Sequence, residues 1–299
     1  MSLNLNDPAV AAQLLLAQVQ ISEQQTALLR DIKTQTQRQL WLSIQQDWHQ
    51  QMNTPRYSDP RHLVQYGYKT YSQTDEDGII AEIFNRIGTT NQRFIEFGVE
   101  TGIECNTMNL LIQGWSGLWL DGSAQNIQRI SETLGAYQAA GQLTAVQAFI
   151  MAENINDLFT QNGFTGEIDL LCVDIDGNDY WVWQAINVVN PRVVIVEFNG
   201  TWRPPTAVVQ PYRADYMWNG QDNYFGASLK AYEKLGAQKG YSLVGVNYGG
   251  GNAFFVRNDL VSEEKFLAPF TAEQHYEPPR FFFALTAGHP AGIGPLIQV

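Results

Sequence analysis

The chain has 299 residues, 44% of them hydrophobic and 16% charged, which is enough apolar content to bury a full core and argues against a disordered chain. A formal charge of −12 with no basic run argues against duplex nucleic acid and anionic membrane surfaces as partners, and leaves a neutral or weakly charged ligand. Only Cys105 and Cys172 are present, so no disulfide framework is expected. No stretch reaches the roughly 18 apolar residues of a membrane span, and the N-terminus lacks the basic start and apolar core of a signal peptide, so the sequence reads as cytoplasmic.

Residues 1–50 form the first predicted element. Leu14, Ile21 and Leu28 recur every seven residues and Ile32 follows, with Gln18 and Gln25 between them. This pattern predicts a long amphipathic helix with two readings, a helix packed on its own domain or the seam of a homo-oligomer. Residues 51–66, with two proline turns, read as a linker. From 67 to 260 apolar strands alternate with helical patterns: 93–99, 117–120, 143–150, 168–175 and 192–198, then 241–247 and 252–257 flanking a glycine turn. Continuous apolar strands separated by helices predict an α/β fold. Its sheet is doubly wound, mainly parallel and Rossmann-like, with seven strands and an N-terminal helical extension. Residues 261–299 lack a strong period and are expected to fold back on the core.

Ligands of such sheets bind outside the carboxyl ends of the strands, and the chemistry-bearing residues lie there. The first strand leads into Glu96-Phe97-Gly98-Val99-Glu100-Thr101-Gly102, a glycine turn without the spacing of a dinucleotide fingerprint. Asp121 closes the second strand, where a carboxylate either holds ribose hydroxyls or caps the next helix. After the fourth strand comes Asp174-Ile175-Asp176-Gly177-Asn178-Asp179, and Glu197 and Asn199 end the fifth. Carboxylates gathered this way need a cation or hydrogen-bond donors. Asp174, Glu197 and Asn199 are the candidate ligands of Mg²⁺ or another divalent cation; the alternative is that these acids hold a cofactor amine and cap a helix. A loop after the fifth strand concentrates Trp202, Arg203, Tyr212, Tyr216, Trp218, Tyr224 and Phe225. It suits a sugar ring or another amphipathic acceptor, or else covers the end of the sheet.

These residues reach a known family. Tyr71-Ser72-Gln73 with Glu76-Asp77-Gly78, the run from Phe94 to Gly102, Gly114 to Gly122, Asp174 to Trp183, and Asn252 to Arg257 together resemble FkbM-type class I S-adenosylmethionine-dependent methyltransferases, over about residues 70–260. The resemblance implies methyl transfer from S-adenosylmethionine to an oxygen of a small-molecule or glycan acceptor. On that reading Glu96, Gly98 and Gly102 shape the methionine side and Asp121 takes the ribose. Phe149 or Ile150 flanks the adenine, Asp174 and Asp176 are catalytic, Asp176 also serves the cofactor ammonium, and Trp202, Arg203, Tyr216, Trp218 and Tyr224 receive the acceptor. A second resemblance, to cation-dependent O-methyltransferases, rests on Asp174 and departs at Glu197-Phe198-Asn199, where those enzymes carry adjacent Asp-Asn. Two other functions compete: a metal-dependent glycosyltransferase using Asp174 and Asp176, and a non-enzymatic oligomeric cofactor-binding scaffold.

Overall fold

The computed structural model describes residues 8–218, 220–281 and 283. The chain divides into two compact units, residues 1–50 and 51–299. The first is built on α1 (Pro8–Met52), a single 45-residue helix. Leu14, Ile21, Leu28 and Ile32 are each about half exposed on it. Among the described residues the predicted seam is thus exposed along α1.

The second unit carries the α/β fold. Its helices are α2 (Glu76–Ile87), α3 (Met108–Ile112), α4 (Ala124–Ala139), α5 (Ile155–Gln161), α6 (Asp179–Ala185), α7 (Leu229–Lys239) and α8 (Ala272–His275). The strands are β1 (Arg93–Phe97), β2 (Ser116–Asp121), β3 (Leu143–Gln147), β4 (Gly166–Val173), β5 (Val189–Glu197), β6 (Tyr241–Val246) and β7 (Asn252–Arg257). They form one seven-stranded sheet in the order β3-β2-β1-β4-β5-β7-β6. β1 to β5 are parallel, and β7 runs antiparallel between β5 and β6. This is the doubly wound, mainly parallel Rossmann-like plan that the strand pattern predicts.

The alternation of side chains across the sheet explains why the strands read as continuous apolar runs. Ile95, Phe97, Leu118, Leu120, Leu171 and Val173 pack into the core on one face. Phe94, Trp119, Leu170, Cys172, Val193 and Ile195 pack into the core on the other. In the central strands both faces are covered at these positions, so both carry apolar side chains.

The expected linker, residues 51–66, carries packed side chains: Tyr57, Leu63 and Val64 are buried, and the Tyr57 hydroxyl donates to Glu277 at 2.8 Å. After β7, Phe266 and Ala272 are buried. The rest of the predicted tail, residues 284–299, lies outside the described residues.

The order of the strands reverses between β1 and β4, and the chain leaves both at the same end. β1 turns through Gly98, at φ +78°, and a Cβ there would collide with the Asp174 carbonyl oxygen. Gly88, at φ +69° and ψ 178°, lies in a backbone region almost restricted to glycine, with open space around it. Gly88→Ala should therefore cost only backbone strain, on the order of 1–3 kcal/mol. Gly98→Ala adds a backbone collision and should cost clearly more in urea unfolding; equal losses would contradict this packing.

Candidate active site

A cavity of about 540 Å³ opens at the carboxyl ends of β1, β2, β4 and β5. Seven carboxylates line it: Glu96, Glu100, Glu104, Asp121, Asp174, Asp176 and Glu197. No lysine, arginine or histidine is among the described lining residues.

The β1 side is held by Glu96. This buried carboxylate accepts from the Asn106 and Thr107 amides, each at 2.9 Å, and from the Thr107 hydroxyl. It thereby ties the end of β1 to the start of α3, and burial raises its pKa despite those donors. Gly98 lines the cavity, but Gly102 is not among the lining residues. Its φ of +76° and its missing side chain make room for the Trp119 ring. The sequence marks both glycines as ligand-facing; the second serves core packing.

Asp121 ends β2 and lines the cavity. Its Oδ2 accepts the Glu100 amide at 2.8 Å. Its Oδ1 accepts the Ser123 amide at 2.8 Å and Asn126 Nδ2 at 3.0 Å. The helix cap itself is Ser123, whose hydroxyl accepts the Asn126 amide. A carboxylate has about four acceptor positions, so one on Oδ2 stays open toward the cavity. Glu100, at φ +50°, adds a second carboxylate beside it. Past β3, half-exposed Phe149 and buried Ile150 supply an apolar wall.

The acids after β4 and β5 converge. One carboxylate oxygen from each of Asp174, Asp176 and Glu197 lies within 4.8 Å of the others. Burial, then mutual repulsion, pushes the pKa values of Asp174 and Glu197 well above the usual carboxylate range, and burial also raises that of Asp176. Asp174 and Glu197 are half-buried and Asp176 is exposed, so the two inner carboxylates in particular favour a proton, a cation or a positively charged ligand nearby.

Asn199 does not join them. Its Nδ2 donates to the Asn223 and Phe225 carbonyls at 2.8 and 3.0 Å, and its Oδ1 accepts from the Thr201 amide and hydroxyl. The alternation that would put Asn199 beside Glu197 holds only in a strand, and β5 stops at Glu197. Asp176 takes that place, although it is beyond the end of β4 and sits at φ +56°. Asp179 secures the turn: its carboxylate accepts the Ile175 amide at 2.6 Å and the Gly177 amide at 2.7 Å.

The aromatic loop divides. Tyr216 and Trp218 line the cavity with Met217 between them. The Tyr216 ring packs against Gly177, where a Cβ would not fit, and its hydroxyl donates to the Tyr224 carbonyl at 2.8 Å. Trp218 packs on Phe225 at 4.8 Å between ring centroids. Tyr224 faces an adjoining outer cavity of about 400 Å³ with Arg213 and Asp222. Trp202 and Arg203 line neither cavity among the described residues.

Sequence reasoning misses several lining residues, among them Gln73, Asn178 and Asn252. The two asparagines are nine-tenths or more buried, and each has an amide oxygen without a partner. Tyr232 of α7 likewise buries an unpartnered hydroxyl; burial and the carboxylates of Asp179, Glu197 and Asp174 raise its pKa far above normal, keeping it a neutral donor. Gln73, Asn178 and Asn252 lie in segments that the sequence marks by resemblance, but no pattern there singles out these positions as cavity-lining.

No protein-family model and no curated protein matches the chain. Among solved structures it is similar to one designated a caffeoyl-CoA O-methyltransferase, from Staphylococcus aureus, at 15% identity over 72% of this chain and 99% of that one, with a TM-score of 0.44. It is also similar to the N-terminal domain of EvdMO1, solved with SAH bound, at 14% identity over 66% and 90%, with a TM-score of 0.41. A third is the methyltransferase domain of a bacterial Hen1, at 14% identity over 60% and 94%, with a TM-score of 0.39. Likeness at this level assigns no activity here.

Burial raises the Asp179 pKa to about 6 from an ordinary 3.8. The folded state thus binds this proton more tightly than the unfolded one. That contribution to stability is fully present below about pH 4 and is lost as pH rises through about 6. Wild type should gain stability over Asp179→Asn, by up to about 3 kcal/mol, as pH falls from 7.5 to 4. Parallel pH profiles in urea unfolding would contradict the assignment.

Proposed function

We propose that the protein is an S-adenosylmethionine-dependent methyltransferase acting on a hydroxyl of a small-molecule or glycan acceptor. The observation that carries this reading is the cavity at the sheet's switch point, lined by carboxylates from four strand ends with an apolar wall and without a cationic side chain. A ligand bearing ammonium, sulfonium and ribose matches that surface in charge and in hydrogen-bonding type, and no phosphate has to be held. Asp121, with the neighbouring Glu100, takes the ribose through its open acceptor position. Glu96 and Gly98 bound the methionine side, and Phe149 and Ile150 flank the adenine.

The acceptor enters beside Tyr216, Met217 and Trp218. Its oxygen attacks the methyl carbon, the carbon–sulfur bond breaks, and its electron pair stays on sulfur. The protein's work is to align the two reactants, exclude water and take the hydroxyl proton. Asp174 or Asp176 takes that proton, since burial, reinforced at Asp174 by the neighbouring carboxylates, has raised their proton affinity. Asp174, Asp176 and Glu197 also fit a hard divalent cation, which when bound lowers the pKa of a coordinated hydroxyl.

A nucleotide-sugar-dependent glycosyltransferase must hold a diphosphate, and the lining offers it no arginine or lysine. Calorimetry separates the two. Adenosylhomocysteine should bind wild type, and Asp121→Ala, checked for folding by circular dichroism, should weaken it on the order of tenfold or more, as expected for losing a charge-assisted hydrogen bond. Binding of a nucleotide sugar in place of adenosylhomocysteine, or unchanged affinity in Asp121→Ala, would overturn the reading.

The exposed seam of Leu14, Ile21, Leu28 and Ile32 supports self-association through α1. Light scattering on the full chain should find an oligomer; a monomer at micromolar concentration would rule this out.

A further inference from the structure

Asn252 opens β7 and is only 6% exposed. Its Nδ2 donates to Glu76 Oε1 at 3.0 Å. Glu76, itself 1% exposed, receives donors on both oxygens: Asn247 Nδ2 at 2.8 Å and the Thr74 hydroxyl at 2.9 Å on Oε1, and the Thr74 amide at 2.8 Å on Oε2. Every contact of that carboxylate is with a donor, so the Asn252 amide can only turn its NH₂ group toward Glu76. Its carbonyl oxygen must then face the other way. That oxygen is buried and has no partner.

An amide oxygen buried without a donor or a cation is costly, so its surroundings indicate what it is for. Asn252 lines the same cavity as Asp174, Asp176 and Glu197. It is also the register partner of Glu197 across the β5–β7 ladder. Directly opposed residues leave the sheet on the same face, with Cβ atoms about 4.5–5.5 Å apart. The unpartnered oxygen therefore stands beside the carboxylate cluster, on the side away from Glu76.

We propose that Asn252 Oδ1 is a ligand of a divalent cation held by Asp174, Asp176 and Glu197, and that Glu76 is the positioning residue that presents it. This rests on the reading that the three carboxylates hold a cation. The set is oxygen only, three carboxylates and one neutral amide, which favours Mg²⁺, Mn²⁺ or Ca²⁺ over metals that prefer nitrogen or sulfur. The amide adds a ligand without adding a fourth negative charge next to Glu76. It also fills the role of a neutral ligand that the sequence assigns to Asn199, from a different strand.

Mn²⁺ alone serves as the probe, followed by electron paramagnetic resonance on the full chain. Wild type should bind one Mn²⁺ at this site and Asp174→Ala should abolish it. Asn252→Ala, shown folded by circular dichroism, should weaken it on the order of tenfold or more, the size of effect that perturbing a metal's supporting groups produces. If that variant does not fold, wild type labelled with ¹³C at the asparagine side-chain carbonyl decides, because electron–nuclear double resonance should then detect a ¹³C coupling to bound Mn²⁺. Wild-type affinity in folded Asn252→Ala, or no ¹³C coupling, overturns the role of Asn252 and leaves the three-carboxylate site standing. No Mn²⁺ binding by wild type overturns the cation altogether, while adenosylhomocysteine calorimetry still judges the methyl-donor reading separately.

Discussion

The constraint on which the site depends is the crowding of negative charge at one end of a low-dielectric sheet. Carboxylates from the ends of β1, β2, β4 and β5 share a cavity with no cationic side chain among the described lining residues. Some are satisfied from within the protein: Glu96 and Asp179 by backbone amides, Asp121 by amides and Asn126. Asp174, Asp176 and Glu197 have one another instead, and burial followed by repulsion from neighbouring carboxylates raises the pKa values of Asp174 and Glu197. A cavity built this way stabilises a ligand that brings positive charge, and its geometry follows from the strand order, which reverses between β1 and β4.

Most of the fold was legible in the sequence because buried parallel strands leave an unmistakable pattern. Val193 to Val196 pack alternately into two cores, so all four positions must be apolar. The strand-end acids were legible for a related reason, since a charged residue directly after such a run has to sit where the sheet meets the ligand. Strand ends were the weak point. Asn199 was assigned by two-residue alternation, which fails once the chain leaves β5 and the side chain turns to hold the carbonyls of Asn223 and Phe225. Gly102 was assigned by its place in the turn, whereas the Trp119 ring is what requires it.

What escaped the sequence is what depends on distant partners. Glu76 and Asn252 meet across most of the chain's length, and nothing local marks the pair. The aromatic loop was half legible: its composition identified a covering element, but which rings face inward is decided by the fit of Tyr216 onto Gly177 and of Trp218 onto Phe225.

The most direct test of the account is a crystal structure of the full chain soaked with adenosylhomocysteine. The account predicts the nucleoside in the cavity at the switch point, with the ribose hydroxyls on Asp121 beside Glu100, the adenine against Phe149 and Ile150, and the thioether sulfur directed toward Asp174 and Asp176. Adenosylhomocysteine bound elsewhere, or in this cavity with its ribose away from Asp121, would contradict it.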